Sequence, residues 1–401
     1  MRPVMHPGRR HWLQALAALS AAPSLGRAAS KADTVNEAAS ASVQEARVLS
    51  FPADHGAHLE ARTEWWYATG WLGTEAAPTH GFQITFFRSR TGFAADNPSR
   101  FAARHLLFAH AAVVHITTRR HAHDQRLQRW NGSATDATAS AITTGGAVQL
   151  AGWAMHDDGS GWRVRVNLQA ASARPDTPLP GSALALDLHL ARSQPLLLQG
   201  RAGLSRKGPQ AHQASRYYSD VQLHARGRVT VGDTASSTAS STTSSTNASS
   251  AGRAWMDHEW SDAYLPEGAV GWDWIGINLF DGSALMAFVM RRADGSALWA
   301  GGSFRSPGQA ARAFGPDEVR FDAGTRWRSP ATGANYPVLW QVRSPAGQHT
   351  VRALVDAQEL DSRASTGTVY WEGLSELLDS QGERIGLGYL EMTGYAGALK
   401  L

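Results

Sequence analysis

The chain contains no cysteine. That excludes disulfides, thiol nucleophiles and thiolate metal sites, and in an oxidising compartment it leaves stability to burial alone. Lysine is nearly absent: Lys31, Lys207 and Lys400 are the only three in 401 residues. The arginines are scattered and the formal net charge is +4. No basic run forms, so the electrostatic footprint of a nucleic-acid binder is missing and no nucleic-acid partner is expected. Long apolar runs are absent apart from a short one near the N-terminus, and strong helix patterns are few. No serine sits in a Gly-x-Ser-x-Gly elbow, and the helical His-Glu-x-x-His metal signature is also missing.

What is present has an ordinary globular balance, with 43% apolar and 18% charged residues. The length suggests about two domains, at roughly 100–200 residues each. Fifteen tryptophans and 39 glycines point to β structure with tight turns and deep cover for large rings. The opening "GRRHWLQALAALSAAPSLGRAAS" has Arg9 and Arg10, a short apolar run and small residues at a cleavage position. Residues 1–28 therefore read as a twin-arginine-like export signal, too short to span a bilayer. A periplasmic or secreted location is expected, with residues 29–46 as a flexible lead-in.

From Phe51 the pattern turns to short strands. "EWWYATGWLG" and "HGFQITFFRSR", separated by "TEAAPT", read as a hairpin. "HLLFAHAAVVHIT" reads as a strand, with a short helix as the alternative, and "DDGSG" marks a turn between two strands. Residues 233–252 are Ser/Thr/Ala-rich without periodicity and read as a disordered linker or insertion. The domains expected are 47–232 and 253–401. The second echoes the first: "GWDWIGINLFDGSALMAFVMRR" follows the order of "EWWYATGWLGTEAAPTHGFQITFFRSR" when Trp66 is aligned with Trp274. Two related all-β domains, sandwiches or barrels, follow from this repeat.

Polar groups gather beside aromatics in four segments: Asp54 to Tyr67, Ser215 to Asp220, Trp255 to Trp274, and Tyr389 to Tyr395. Asp54, His55 and His58, or Asp257, His258 and Glu259, offer metal-ligand types. Neighbours on a strand point to opposite faces, however, so 257 and 258 would share an ion only in a loop. Paired polar residues at a domain junction are the commoner expectation, and no metal or other cofactor is expected. A carboxylic acid walled by indoles fits better. Desolvation raises its pKa so that it stays protonated near neutrality, and ring faces stabilise a cation made by protonating an alkene.

"FPADHGAHLEARTEWWYATGWL", "GFQITFFRSR", "LLFAHAAV", "AWMDHEWS", "GWDWIGINL" and "GYLEMTGY" resemble the AttH-like, carotenoid 1,2-hydratase-related family of secreted lipocalin-like proteins, from about Phe51 to Tyr395. The resemblance implies an all-β fold of two lipocalin-like (calycin) antiparallel β-barrel domains related by an internal repeat, with few short helices. The hydratase branch adds water to the terminal double bond of acyclic carotenoids. Its proton donor is thought to be an aspartate with an aromatic residue two positions before it. Asp257 with Trp255 matches that arrangement, Trp standing where the branch has Tyr. The expected catalytic group is Asp257, His258 and Glu259, the latter two orienting Asp257 or pairing across the interface. The expected ligand-binding set is Trp255, Trp260, Trp272, Asp273, Trp274, Trp65, Trp66, Tyr217, Tyr218, Tyr389 and Glu391. The leading reading is an exported protein enclosing a hydrophobic small molecule, isoprenoid or lipid, with acid-catalysed hydration of a C=C bond. The rivals are a non-enzymatic periplasmic lipid-binding protein that serves a membrane transport system, and a secreted hydrolase.

Overall fold

In the computed structural model, Gly161–Gln169 buries Trp162, Val164, Val166 and Leu168 and leaves Arg163, Arg165 and Asn167 at the surface. This is the two-residue period of a strand with one wet face. Most of the chain follows that rule or its doubly buried variant. The structure describes residues 47–92, 99, 101–169, 182–233 and 249–399. The expected export signal and lead-in, and residues 234–248 of the expected linker, lie outside the described residues. Residues 249–252 of that stretch are strand.

The first sheet is built from β1 (Thr63–Gly73), β2 (Pro78–Arg90), β3 (His105–His115), β4 (Arg120–Trp130), β5 (Ala139–Ile142), β6 (Ala147–Leu150), β7 (Trp153–Asp157), β8 (Gly161–Gln169), β9 (Ser182–Ala191), the short β10 (Leu197–Leu198) and β11 (Leu204–Arg206), β12 (Ala214–Asp233) and β13 (Ser249–Ser261). Its order is β4-β3-β2-β1-β13-β12-β9-β8-β7-β6-β5, with β10 and β11 both on β12. The first strand thus lies beside the last, and the meander closes on itself except between β4 and β5, which approach each other. This is a nearly closed up-and-down barrel.

The rest of the chain supplies a second sheet and a small strand pair: β14 (Gly271–Leu279), β15 (Ala284–Arg291), β16 (Ala297–Arg305), β17 (Arg312–Phe314), β18 (Arg320–Ala323), β19 (Arg326–Arg328), β20 (Asn335–Pro337), β21 (Leu339–Ser344), β22 (Gly347–Ala353), β23 (Glu359–Asp361), β24 (Val369–Leu378) and β25 (Arg384–Met392). The sheet's order, β17-β16-β15-β14-β25-β24-β22-β21-β18, repeats the cyclic plan, with β23 on β24 and a separate β19–β20 pair. The fold is the all-β, lipocalin-like architecture the sequence implied. Its one helical turn among the described residues is the three-residue 3-10 segment Ala53–His55.

Two details differ from the sequence reading. A boundary at 253 cuts through β13, which belongs wholly to the first sheet, and the described residues from Arg47 onward form one compact unit. The Trp66–Trp274 alignment is also off by one. Arg88 pairs with Glu64 and Arg291 with Gly271 at the ends of the corresponding hairpins, so Tyr67 is the counterpart of Trp274. A slip of one residue exchanges the two faces of a strand, and Trp66 and Trp274 do lie in different clusters.

Side chains fill both curled sheets: Trp66, Trp130, Trp153, Trp162 and Met256 in the first, and Ile275, Ile277, Tyr336, Trp340 and Trp371 in the second. A third cluster lies between the sheets, where β1, β12 and β13 face β14, β24 and β25; it contains Tyr67, Tyr217, Trp255, Trp274, Leu374 and Tyr389. Strands flanking this layer are covered on both faces, which is why β24 and β15 are buried along their whole length.

Candidate functional site

"AWMDHEW" is the middle of β13, so its crowding resolves by parity. Ala254, Met256 and His258 turn into the barrel, whereas Trp255, Asp257 and Glu259 turn into the layer between the sheets. Asp257 is 3% exposed and held by three donors. Ser219 Oγ (2.5 Å) and Trp255 Nε1 (2.6 Å) donate to Oδ1, and Tyr217 Oη (2.7 Å) donates to Oδ2. From the opposing sheet, Trp274 Nε1 donates to Tyr217 Oη at 3.3 Å. Behind Ser219 the donors continue in one direction: Ser303 Oγ gives to Gln199 Oε1 (2.5 Å), and Gln199 Nε2 gives to Ser219 Oγ (2.8 Å). The Trp274 ring stands edge-on to both Trp255 and Tyr67.

Burial raises the Asp257 pKa. The three donors oppose that rise and the charge of Glu259 adds to it, leaving the carboxyl at about 7. Glu259 is pushed up by burial and drawn back by Lys207, whose Nζ lies 2.8 Å from its Oε1, and by a hydrogen bond from Ser215. Lys207 is itself buried, its Nζ 4.3 Å from the ring centre of Phe288 and 4.8 Å from that of Tyr217. Across the layer, Glu391 is raised to about 7 by burial and by the charges of Asp257 and Glu259, against a hydrogen bond from Trp272. Glu372 is raised well above the usual range by burial and by Glu391. Trp65, Tyr264, Trp272 and Glu391 are only partly buried and form the outer rim of this layer. The arrangement is a protonatable carboxyl buried among aromatic rings, with donors already aimed at its conjugate base.

The opposite face of β13 carries a different group. His258 Nε2 and His58 Nδ1 meet Glu64 Oε1 at 2.9 and 2.8 Å, and Arg88 Nε donates to Glu64 Oε2 at 2.8 Å. Burial would raise Glu64. The bonds from His258 and His58, and the charges of His258 and Arg88, outweigh it and hold the carboxylate well below the usual range. Trp66 stacks on His258 and Trp260 on His58. Tyr218 Oη lies 2.6 Å from His55 Nδ1 and 3.2 Å from His258 Nδ1. The ligand atoms of His58, Glu64 and His258 lie within 4.8 Å of one another, a donor set of the zinc type. An ion there would compete with the Arg88 guanidinium for Glu64.

A model of the AttH-like family matches residues 42–395. The chain belongs to the AttH-like family. This AttH-like chain is 40% identical to a protein from Nitrosomonas europaea, described as AttH, whose crystal structure aligns with a TM-score of 0.72 over 87% of this chain and 98% of that one. It is also similar in fold to kievitone hydratase from Nectria haematococca, at 11% identity and a TM-score of 0.57 over 88% of this chain and 94% of that one. No curated protein matches it in sequence.

In the AttH-like fold, the layer between the sheets brings together Asp257, Glu259, Trp255, Trp65, Tyr217, Trp272, Trp274, Tyr389 and Glu391. It does not bring in His258, Trp66, Trp260 or Tyr218, which face the other way, so His258 cannot orient Asp257. Asp273 lies inside the second sheet, paired with Arg291 Nε at 3.2 Å and accepting from Tyr395 Oη at 3.0 Å. Sequence reasoning left Tyr67, Lys207, Ser219 and Glu372 out of the expected site. The available signal for Glu372 was a charge set beside Trp371 in the apolar run "VYWEGLSELL", which also holds Glu376, and for Lys207 its rarity.

Proposed function

We propose that the protein is a hydro-lyase that adds water to, or removes it from, a carbon–carbon double bond of an apolar substrate held between the two sheets. The carrying observation is Asp257: a buried carboxyl near neutrality, bonded to an indole of its own strand and bordered by a second indole from the facing sheet. In the hydration direction the Asp257 proton forms a bond to one alkene carbon. Positive charge then develops at the other carbon, beside the faces of Trp255 and Trp274, each worth about 0.5–2 kcal/mol to a cation. Water supplies the oxygen and surrenders a proton, and the new alcohol carries one proton from Asp257 and the hydroxyl of water. Ser219, Trp255 and Tyr217 already point at the carboxylate left behind, so little reorganisation accompanies proton transfer. Family membership and the fold shared with a hydratase support the reading. The export-type leader and the ring-lined layer support a lipid or isoprenoid substrate met outside the cytoplasm.

The test is incubation of the purified protein in ¹⁸O-water with an acyclic carotenoid, squalene, oleate and kievitone, followed by mass spectrometry. Incorporation by the wild type and its loss in Asp257→Asn is the expected result. Equal incorporation by the variant, or none with any of the four alkenes, overturns the proposal as framed.

A further inference from the structure

A cleft of about 710 Å³ lies between residues 193–198, which run from β9 into β10, and residues 305–311 at the end of β16. That is the size of a site for one small molecule. Its wall is mostly apolar: Leu196 and Leu198 are half-buried in it, and Pro195, Pro307, Ala310 and Ala311 are exposed there. One side is tied down. Ser193 Oγ donates to Gln222 O (2.5 Å), and Gln194 Nε2 donates to Gly282 O (2.8 Å). A proline on each side fixes φ, so little is left to order when a ligand arrives.

One side chain in this wall differs from the rest. Arg305 is 8% exposed, and its hydrogen bonds all go to neutral oxygens. Nη1 donates to the carbonyls of Pro195 (2.8 Å) and Leu196 (3.1 Å), and Nη2 donates to Gln194 Oε1 (3.1 Å). A guanidinium has five N–H groups, so one on Nε and one on Nη2 are left without a partner among the described residues. The three bonds satisfy donors but do not balance the charge. Asp220 is the acid whose charge reaches Arg305, and it is already committed to Arg192 Nε at 2.6 Å. Burial accordingly lowers the Arg305 pKa from its usual value, with Asp220 opposing. In a smaller cleft of about 410 Å³ beside Trp71, by contrast, Arg253 already faces Glu75 at 2.8 Å. A buried guanidinium with two spare donors suits the two oxygens of a carboxylate, and the wall around it suits an apolar chain.

We propose that this cleft is a second ligand site, which takes a free carboxylic acid with an apolar chain. The carboxylate sits on Arg305, and the chain lies along Pro195, Leu196, Leu198 and Pro307. The lining shares no residue with the group that holds Asp257, and the proposal does not depend on the hydro-lyase reading.

The probe is dodecanoate, which has no double bond to hydrate. Titration calorimetry on the purified protein at pH 7 is expected to show dodecanoate binding, with dodecan-1-ol and acetate each weaker by more than tenfold, since neither has both the charge and the chain. Arg305→Gln should weaken dodecanoate by more than tenfold. Because Arg305 also tethers residues 194–196, a second variant separates binding from folding. Ala310→Asp changes an exposed residue, leaves those tethers in place and sets a carboxylate in the cleft. It should weaken dodecanoate to a similar degree with an unchanged melting midpoint. Asp257→Asn should bind dodecanoate as the wild type does, so a failure of the acid chemistry is read separately. No binding, equal binding of dodecan-1-ol, or full affinity in Ala310→Asp overturns the proposal.

Discussion

Replacing Asp257 by asparagine keeps the size of the side chain and removes its ability to ionise. In the wild type this carboxyl titrates near 3.8 when unfolded and at about 7 when folded. Between those values the folded state keeps a proton that the unfolded chain has released. Folding stability therefore falls as pH rises through the window and levels off above about 7. At about 1.4 kcal/mol per pH unit, the window is worth at most about 4 kcal/mol. Against this, an amide offers an N–H₂ where Ser219, Trp255 and Tyr217 all donate, and one lost bond amounts to about 1 kcal/mol at any pH. Asp257→Asn should thus be about 1 kcal/mol less stable than wild type at pH 4 and about 3 kcal/mol more stable at pH 8. Urea denaturation at the two pH values measures both differences. A stability difference that does not change with pH would mean that Asp257 ionises like any aspartate, and the acid mechanism would be refuted without any substrate in hand.

Other perturbations reach different parts of the molecule. Arg88→Met strands the fully buried Glu64 without its cation and should cost about 3–5 kcal/mol in a denaturant titration at pH 7. A depressed carboxylate keeps its full stabilisation above its unfolded value and loses it only below that. The loss should therefore hold from pH 7 to about 4.5 and shrink as pH falls further. Lys207→Met with Glu259→Gln removes a buried pair together, so stability should change little, while losing the Glu259 charge lowers the Asp257 titration midpoint seen by carboxyl NMR. An unmoved midpoint would show that Glu259 does not act on Asp257. A Cβ on Gly276 would sit 2.3 Å from Trp274 Cη2 and 3.2 Å from Trp255 Cε2; Gly276→Ala should displace both indoles, change near-UV circular dichroism and lose about 1–3 kcal/mol. Turnover by the wild type should decline as pH rises past about 7, as the acid loses its proton.

The fold was legible because its physics is local. Alternation in β8 and the "DDGSG" turn each mark a hairpin within a dozen residues, and the order of tryptophan-rich strands exposes the repeat. The site was legible only along single strands. "AWMDHEW" shows that an acid is crowded by indoles, but which neighbour shares its face depends on the pleat, and His258 falls on the wrong side. Glu372 and Tyr67 join Asp257 through register and the stacking of two sheets, which no short window of sequence contains. The one-residue slip in aligning Trp66 with Trp274 has the same origin. Aromatic residues occupy both faces of strands that are covered on both sides, so identity alone does not report parity.

In each sheet the first strand is hydrogen-bonded to the last: Thr63 opposite Ser261, and Asp273 opposite Met392. The layer carrying Asp257 and its facing carboxyls is drawn from those opening and closing strands, with β12 and β24 beside them. During synthesis the acid-bearing face is therefore unfinished until β25 leaves the ribosome, and β14 waits as an open edge for more than a hundred residues. A chain halted short of β25 keeps that edge open and is sticky, so premature termination should feed proteolysis rather than leave a half-built site.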